Sequence, residues 1–415
     1  MPRTAVCLLL LAPIFLWSCV TTIDGPIPMV QPDPATYEPL YPHYVELCSV
    51  SQYRPLDGDT GGIPGHAVLY LKGACRSEDA PRPAIEMCEP GSDDPGDPRH
   101  GVGISVNRLF ANVNWVAIPG KRLFLDGATA PGGRVTRRAY DATLGAALDL
   151  GLFRGIEVRP EDLRRKPGDQ SPEEFLARDG LGTDFALRFA RTAFCARVPV
   201  TRPMMEEVAA HLNRLNGAYG SGATGYTWSG YCDNCSHPLR NALAAAGIWR
   251  PVGRWEISLG RLFQAPLPAN ELFDLAERAV AFPIDDLDRV RSDPNARRTL
   301  LRHEWLPTGH GSLLTSYPVH GGNDLYETRY RILALEGPLA PRHHEVLSLL
   351  RERRNTDVVA NLRYFESWYR AILAGRPRRL PGHPGDFTSR YYRYIERQLA
   401  EVERKLARLG ATGTG

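Results

Sequence analysis

One cysteine in this sequence is well placed for covalent chemistry, because it directly precedes a predicted helix. After Cys235, the apolar residues Leu239, Ala242 and Leu243 have the spacing of one face of a helix, and Gly247 is a typical helix end. The free N–H groups and the dipole at a helix N-terminus favour an anion, so we expect the pKa of the Cys235 thiol to fall below about 8.5. A thiolate with a base or an imidazolium beside it is a nucleophile suited to acyl transfer.

The candidate base is His66, which opens a strand-like run over residues 66 to 71. If this run pairs antiparallel with residues 102 to 107, Asn107 lies beside His66, and we predict that Asn107 orients the imidazole ring. The alternatives for the orienting residue are Asn112, Asn114 and His100. His310 also opens a strand-like run and competes with His66 for the role of base.

Other interpretations of Cys235 stay open at the level of sequence. Cys232 and Cys235 form a CxxC pair, which occurs in redox proteins at helix N-termini, and with His237 they would supply part of a zinc site. A disulfide from this pair to Cys195 or Cys48 is a third interpretation, and a buried, inert thiol is a fourth. We favour the nucleophile, because the redox motif expects a βαβ context and no second ligand pair completes the zinc site.

Two motifs together carry a family resemblance. Gly65-His66 opens a strand, and Asn234-Cys235-Ser236-His237 opens the later helix. This arrangement resembles the circularly permuted NlpC-type papain-like cysteine hydrolases, in which the histidine precedes the cysteine. The lecithin:retinol acyltransferase-like proteins carry a similar Asn-Cys-x-His. The resemblance covers roughly residues 61 to 250.

The resemblance implies an α+β fold with a permuted papain-like core, in which an antiparallel sheet packs on the helix that bears the cysteine. It implies Cys235 as the nucleophile and His66 as the base that takes and returns the proton. The substrate would be an amide, ester or thioester carbonyl, and the implied reaction needs no metal or organic cofactor. Peptidoglycan stem peptides or an acylated substrate are compatible partners.

The N-terminus has the features of an export signal. Arg3 supplies a positive charge, and residues 5 to 17 are almost wholly apolar but too few to span a bilayer of about 30 Å. The segment Leu16-Trp17-Ser18-Cys19 resembles a bacterial lipobox, which implies that residues 1–18 are a signal peptide and that Cys19 carries a lipid such as palmitate. Val20 is not the aspartate that retains such lipoproteins at the inner membrane, so the resemblance implies an outer-membrane lipoprotein facing the periplasm.

Composition sets the limits on class and organisation. The 415 residues are 43% hydrophobic and 23% charged, which excludes a multi-span membrane protein and a disordered chain. The formal net charge of +3 gives no reason to expect nucleic acid as a partner. We predict a tether over residues 19–60, a catalytic domain over 61–255, an irregular extension over 256–337 and an α-helical C-terminal region over 338–415.

Two further patterns concern packing and cross-links. The last predicted helix has an apolar seam with spacings of three and four residues, formed by Tyr392, Ile395, Leu399, Val402, Leu406 and Leu409. The seam favours packing on the protein's own body, with self-association or a protein partner as the alternative. Cys75 and Cys88 flank a proline-rich loop and are the best candidates for a disulfide, which an exported protein can form.

Together these patterns predict an envelope lipoprotein that acts as a cysteine hydrolase or acyltransferase through Cys235 and His66. The alternative is a non-catalytic envelope lipoprotein that uses the papain-like fold and its C-terminal helices as a binding scaffold.

Overall fold

The computed structural model describes residues 19–24, 29–52, 54–56, 65–88, 100–223, 228–229, 233–253, 267–328, 331–336, 348–375 and 385–412. The predicted signal peptide, residues 1–18, lies outside the described residues, and so does Cys232. Within this described part, no helix combines the length and the apolar composition needed to cross a membrane.

The described strands form one large antiparallel sheet and two small ones. The strands are β1 (Cys19–Asp24), β2 (Tyr44–Val50), β3 (His66–Lys72), β4 (Ala74–Arg76), β5 (Ile85–Met87), β6 (Val102–Val106), β7 (Trp115–Pro119), β8 (Ala193–Pro199), β9 (Leu313–Tyr317) and β10 (Arg331–Glu336). The large sheet has six strands in the order β7-β6-β3-β2-β8-β9. β1 pairs with β10, and β4 pairs with β5.

The helices are α1 (Pro34–Tyr37), α2 (Lys121–Asp126), α3 (Arg137–Asp149), α4 (Pro160–Leu163), α5 (Pro172–Gly180), α6 (Arg202–Gly220), α7 (Ser236–Ala245), α8 (Pro268–Val280), α9 (Leu287–Ser292), α10 (Pro294–His303), α11 (Val358–Ala374) and α12 (Gly385–Thr412). Local capping explains where several of them begin. At the start of α6, Thr201 accepts a hydrogen bond from the Met204 N–H, and Pro203 fits the first turn. These elements make the protein an α+β structure with an antiparallel sheet.

The large sheet is covered on both faces. Successive residues of a strand point to opposite faces, so Leu47 and Leu69 belong to one core and Cys48 and Val68 to the other. The first core includes residues of α6, α7 and α8. The second core includes residues of α11 and α12. Because of this alternation, the side chains of His66 and Ala67 at the start of β3 point to different faces.

The predicted tether over residues 19–60 is wrong. Residues 44–50 are β2, which lies between β3 and β8 in the centre of the large sheet and is buried along its whole length. Residues 19–24 pair with β10. Glu46 and Ser49 interrupt the apolar character of β2, which is why its sequence resembles a linker more than a core strand.

The predicted domain boundaries at 61 and 255 also do not match the sheet. The extension over 256–337, expected to be irregular, contains α8, α9 and α10, and it contributes β9 as an edge strand. The sheet therefore takes one strand from before residue 61 and one from after residue 255. The helices α11 and α12 lie within the predicted helical region and contact each other, and the apolar seam of α12 packs on the second core.

Two disulfides link parts of the sheet region. Cys75 and Cys88 are bonded, which confirms the sequence-based pairing. Cys48 and Cys195 are also bonded, and they face each other directly across β2 and β8. A disulfide from Cys48 or Cys195 to Cys235 is therefore ruled out, and Cys235 is a free thiol.

The buried carboxylate of Glu46 stabilises the centre of the sheet. Arg197 on β8 lies 3.1 Å from it, and Lys121 lies 2.8 Å from it. Thr315 and Tyr317 donate hydroxyl hydrogen bonds to the same carboxylate. Burial alone would raise the pKa of Glu46, but the two cations hold it at about 2. The group is therefore ionised at all ordinary pH values and satisfied on both oxygens.

We predict that Glu46→Gln lowers the free energy of unfolding by about 3 kcal/mol, because it leaves the buried Arg197 guanidinium without its carboxylate. This difference in the free energy of unfolding should have its full value above pH 4.5, the pKa of Glu46 in the unfolded chain. It should become smaller as the pH falls toward 2, since protonation of Glu46 in the wild type then removes the same interaction. Urea denaturation at a series of pH values measures both effects.

Glu206→Gln is the matched control. The Arg202–Glu206 pair has the same 3.1 Å separation as the Arg197–Glu46 pair, but both of its side chains are half exposed. We expect this control to cost less than about 0.5 kcal/mol. Equal losses in the two variants would contradict the role assigned to the buried pair.

Candidate active site

Helix α7 begins directly after Cys235, as the sequence predicts. Asn234 acts as the local cap, because its Oδ1 accepts a hydrogen bond from the Ser236 N–H at 2.8 Å. His237 lies beside the same cap, with its Nδ1 3.2 Å from the Asn234 N–H nitrogen. The helix ends before Gly247, which has a φ of +78°. Cys235 is therefore held at the N-terminal end of a short helix that packs on β3.

The sulfur of Cys235 contacts the backbone of β3. The Ala67 N–H donates a hydrogen bond to Cys235 Sγ at 3.3 Å. This donor is available because the pairing of β3 with β6 begins only at Val68. Ala67 directly follows His66, so the sulfur lies within about 6 Å of the His66 Cα by standard bond lengths. The two residues singled out from the sequence thus meet at one end of β3.

The glycine of the Gly65-His66 motif has a structural reason of its own. Gly65 has a φ of +77°, and a Cβ at this position would lie 2.5 Å from the Val50 carbonyl oxygen. Only glycine fits this approach, which brings His66 into register with Val50 at the end of β2.

The His66 ring is held by a chain of hydrogen bonds on the other face of the sheet. His66 Nε2 lies 2.8 Å from Ser105 Oγ, and the Ser105 hydroxyl donates to Asp184 Oδ1 at 2.6 Å. Because the Ser105 proton points to the carboxylate, its lone pairs accept from His66 Nε2–H. The tautomer that follows leaves Nδ1 unprotonated, so Nδ1 is the basic nitrogen of the ring. Ser105 lies between His66 and Asp184, so the three do not form a Ser-His-Asp triad with serine as nucleophile.

Asn107 does not orient His66 directly. Its Nδ2 donates to Asp184 Oδ2 at 2.7 Å, and its Oδ1 accepts from the Leu109 N–H. The prediction identified the correct neighbourhood but the wrong residue, because β6 ends at Val106 and Asn107 already belongs to the following turn. Ser105 lies two positions earlier on β6 and pairs with Val68 on β3. Since Val68 is two residues after His66, the side chains of Ser105 and His66 lie on the same face of the sheet.

Among the alternative orienting residues, Asn112 is bonded elsewhere through its side chain, and Asn114 and His100 form hydrogen bonds through their backbones. Asn112 binds the Gly155 carbonyl and the Glu157 N–H. The Asn114 N–H donates to Asn216. The His100 carbonyl accepts a hydrogen bond from the Tyr70 hydroxyl.

Sequence reasoning missed three residues of this site, namely Ser105, Asp184 and Arg191. Asp184 and Arg191 come from the segment between α5 and β8, and no motif marks them. Arg191 is buried, and its guanidinium donates to the Gly182 and Ser51 carbonyl oxygens. Of these three, only Ser105 could have been predicted from the sequence, because side chains alternate along a strand and residues 105 and 107 would therefore point to the same face.

The expected low pKa of the Cys235 thiol is wrong. Burial raises its pKa to about 11, and the opposing effects of the Ala67 N–H and the Arg191 charge are smaller. Burial also lowers the pKa of His66 to about 3, and the charge of Arg191 adds to this. The loss of solvent around a cysteine that is only 7% exposed is the largest effect on the thiol. Thiol and imidazole are therefore both neutral near pH 7.

The thiol and the imidazole are neighbours, but they are not bonded to each other. The structure describes both residues and shows no hydrogen bond between Cys235 Sγ and the His66 ring. The ring is turned toward Ser105. Burial raises the pKa of Asp184 to about 6, against the hydrogen bonds from Ser105 and Asn107. The buried Asp184 carboxylate therefore begins to take up a proton just below neutral pH.

The competing histidine lies in a different part of the protein. His310 Nδ1 is 2.7 Å from the Tyr41 hydroxyl oxygen, and its Nε2 is 3.8 Å from Glu401. The zinc and redox interpretations both require Cys232, which lies outside the described residues. Among the residues that the structure does describe, no group of three or more His, Cys, Asp or Glu side chains is arranged to hold a metal ion.

We predict that iodoacetamide alkylates native Cys235 slowly at neutral pH and increasingly fast as the pH rises beyond 9, because the thiol has a pKa of about 11. Peptide mass spectrometry measures the rate at Cys235 separately from that at the other cysteines. Cys235→Ala is the control that assigns the modified peptide. An alkylation rate that is already maximal at about pH 7 would contradict this account of the site.

Comparison of the chain with models of protein families, with curated proteins and with solved structures finds no match in any of the three.

Proposed function

We propose that this protein is a cell-envelope cysteine hydrolase or acyltransferase with a permuted papain-like core, in which Cys235 is the nucleophile and His66 is the base. The observation that carries the proposal is the hydrogen bond from the Ala67 N–H to Cys235 Sγ, because it joins the cysteine-bearing helix to the strand position next to His66. The chain of hydrogen bonds from His66 through Ser105 to Asp184 supports it, since a base needs a fixed tautomer.

The arrangement of the elements also supports a permuted papain-like core. The histidine opens a central strand of an antiparallel sheet, and the cysteine precedes a helix that packs on that strand. The histidine comes first in the chain, in the order of the family that the sequence resembles.

The neutral state of both groups favours general-base catalysis over a preformed ion pair. In the first step Cys235 Sγ attacks the substrate carbonyl and an S–C bond forms. Because the sulfur and the His66 ring lie on opposite faces of β3, the thiol proton passes to His66 Nδ1 through a bridging water. The bond from the carbonyl carbon to the leaving nitrogen, oxygen or sulfur then breaks, and His66 returns the proton to the leaving group. Water or another acceptor attacks the thioester in the second half-reaction. The Cys235 N–H, with a neighbouring donor, would stabilise the oxyanion.

Ser105 and Asp184 would stabilise the imidazolium that forms in this first step. His66 Nε2–H donates to Ser105 Oγ, and the Ser105 hydroxyl donates to the Asp184 carboxylate. The buried negative charge of Asp184 would therefore stabilise positive charge on the ring. Asn107 holds that carboxylate from its other oxygen. A peptidoglycan stem peptide or an acylated envelope component is the substrate that fits this chemistry and the proposed location.

A specific observation favours the second candidate, a non-catalytic envelope scaffold. The Cys235 sulfur is almost fully buried, and the His66 ring is bonded on the opposite face of the sheet. A site of this kind also suits an inert thiol in a protein that binds partners through its C-terminal helices. The two candidates differ in whether an acyl group can be transferred to Cys235.

We predict that incubation with p-nitrophenyl acetate acetylates Cys235 and releases nitrophenol. His66→Gln should lower the acetylation rate at least about 100-fold, because it removes the base but keeps the side-chain volume similar. Intact-protein and peptide mass spectrometry detect the thioester. The rate in the wild type should fall as the pH falls through about 6, since protonation of Asp184 removes the negative charge behind Ser105.

His211→Gln is the matched control, since His211 lies on α6 and takes no part in the hydrogen bonds of the site. It should acetylate at the wild-type rate, and Asp184→Asn should lack the pH dependence near 6. Acetylation of Cys235 at the same rate in His66→Gln and the wild type would remove His66 as the base. A native Cys235 that is never acetylated would favour the scaffold.

We also propose that Cys19 is lipidated and that the protein is held at the periplasmic face of the outer membrane. The lipobox-like segment before Cys19 supports this proposal. Cells that express the protein and are labelled with a palmitate analogue should incorporate the label into the wild type but not into Cys19→Ser. Equal labelling of the two proteins, or recovery of an uncleaved N-terminus, would contradict the proposal.

A further inference from the structure

A cavity lies between α12 and the end of the large sheet that is farthest from His66. Its volume is about 250 Å³, and its walls come from residues 40–43 before β2, residues 199–201 after β8, residues 303–305, His310 and one face of α12. We refer to it as the α12 cavity. His66 pairs with Val50 at the other end of β2, so the length of this strand separates the cavity from Cys235 by roughly 20 Å.

The cavity contains a buried nitrogen without a partner. His310 is 3% exposed, and its Nδ1 is bonded to the Tyr41 hydroxyl at 2.7 Å. Its Nε2 has no hydrogen-bond partner among the described residues, and the Glu401 carboxylate is 3.8 Å away, beyond hydrogen-bond distance. A buried polar group without a partner is costly, so this nitrogen is free to bond to a group that a ligand supplies.

The charges around the α12 cavity are already balanced. Lys405 is paired with Glu401 at 2.7 Å, and Arg397 is paired with Glu304. A charged ligand would have to compete with one of these pairs, whereas a neutral ligand can bond to their remaining donors and acceptors. Burial lowers the pKa of His310 to about 4, so its ring is also uncharged at neutral pH.

The other walls carry aromatic, aliphatic and polar side chains, and more of the exposed lining is polar than apolar. Trp305 contributes a ring, and Leu40, Pro42 and Val200 contribute aliphatic surface. The Tyr41 ring is covered by the Lys405 ammonium, which lies 3.7 Å from the ring centroid. A ligand that fits therefore needs several groups that both donate and accept hydrogen bonds, together with a smaller apolar face.

We propose that the α12 cavity binds a neutral saccharide unit, with its ring face against Trp305 and its hydroxyls bonded to His310 Nε2 and the Lys405–Glu401 pair. A hydroxyl both donates and accepts, so one saccharide satisfies the histidine nitrogen and a charged pair together. The cavity would hold a sugar of an envelope glycan about one strand length from the thiol. The binding itself does not depend on any reaction at Cys235.

Isothermal titration calorimetry with N-acetylglucosamine and with glucose tests this proposal on the full mature chain. We expect saccharide binding in the millimolar range or tighter and at least about tenfold weaker binding in Glu401→Gln, which removes an acceptor and breaks the pair with Lys405. His310→Gln should weaken binding similarly, and Glu401→Gln keeps the test usable if the buried histidine variant does not fold. Glu366→Gln is the matched control, because this carboxylate pairs with Arg370 on α11 outside the cavity.

Inorganic phosphate and glycine are the comparison probes for an anion and a zwitterion. Binding of either one without binding of a saccharide would overturn the proposed ligand class. Saccharide affinity that is equal in the wild type and both cavity variants would overturn the proposed site, and no binding of any probe would do the same. Because the readout is binding alone, failure of Cys235 acetylation leaves this proposal standing.

Discussion

The proposed site depends on one hydrogen bond between a helix and a strand. The Ala67 N–H donates to Cys235 Sγ where β6 has already left β3, and this contact holds the start of α7 against the sheet. The same position fixes the direction of the neighbouring side chain, since His66 must then point to the opposite face of β3. The thiol and the imidazole are thus close along the backbone and separated by the pleat of the strand.

Burial is the dominant electrostatic effect at this position. It raises the pKa of Cys235 to about 11 and lowers the pKa of His66 to about 3, and at Cys235 it exceeds the contributions of the Ala67 donor and the Arg191 charge. Both groups are neutral near pH 7, and the buried side chains of Arg191 and Asp184 lie close to them. A reaction at this site must create an imidazolium during the attack itself, and the Ser105–Asp184 chain is the part of the structure suited to stabilise it.

The sequence predicts the local features of this site and not the tertiary ones. The helical spacing after Cys235 and the apolar run after His66 correctly predict α7 and β3, and the short Cys75–Cys88 loop correctly predicts a disulfide. The thiol pKa is wrongly predicted, because burial is a property of the folded protein that no local pattern records.

The remaining differences also come from long-range contacts. Asp184 is 79 positions from Ser105 in the chain, so nothing near β6 in the sequence points to it. The central strand β2 lies within the predicted tether, and the partners of its Glu46, Arg197 and Lys121, are 151 and 75 positions away in the chain. Polar residues in a strand are informative only once their partners are known.

The protonation state of the His66 ring can be measured in solution. Two-dimensional ¹⁵N–¹H NMR of histidine-labelled protein, with His66→Gln to assign the signal, reports which ring nitrogen carries the proton. We expect a neutral ring with the proton on Nε2, and no titration of this ring across the physiological pH range. A proton on Nδ1, or a ring that titrates near the ordinary histidine pKa of about 6.5, would contradict the proposed role of His66.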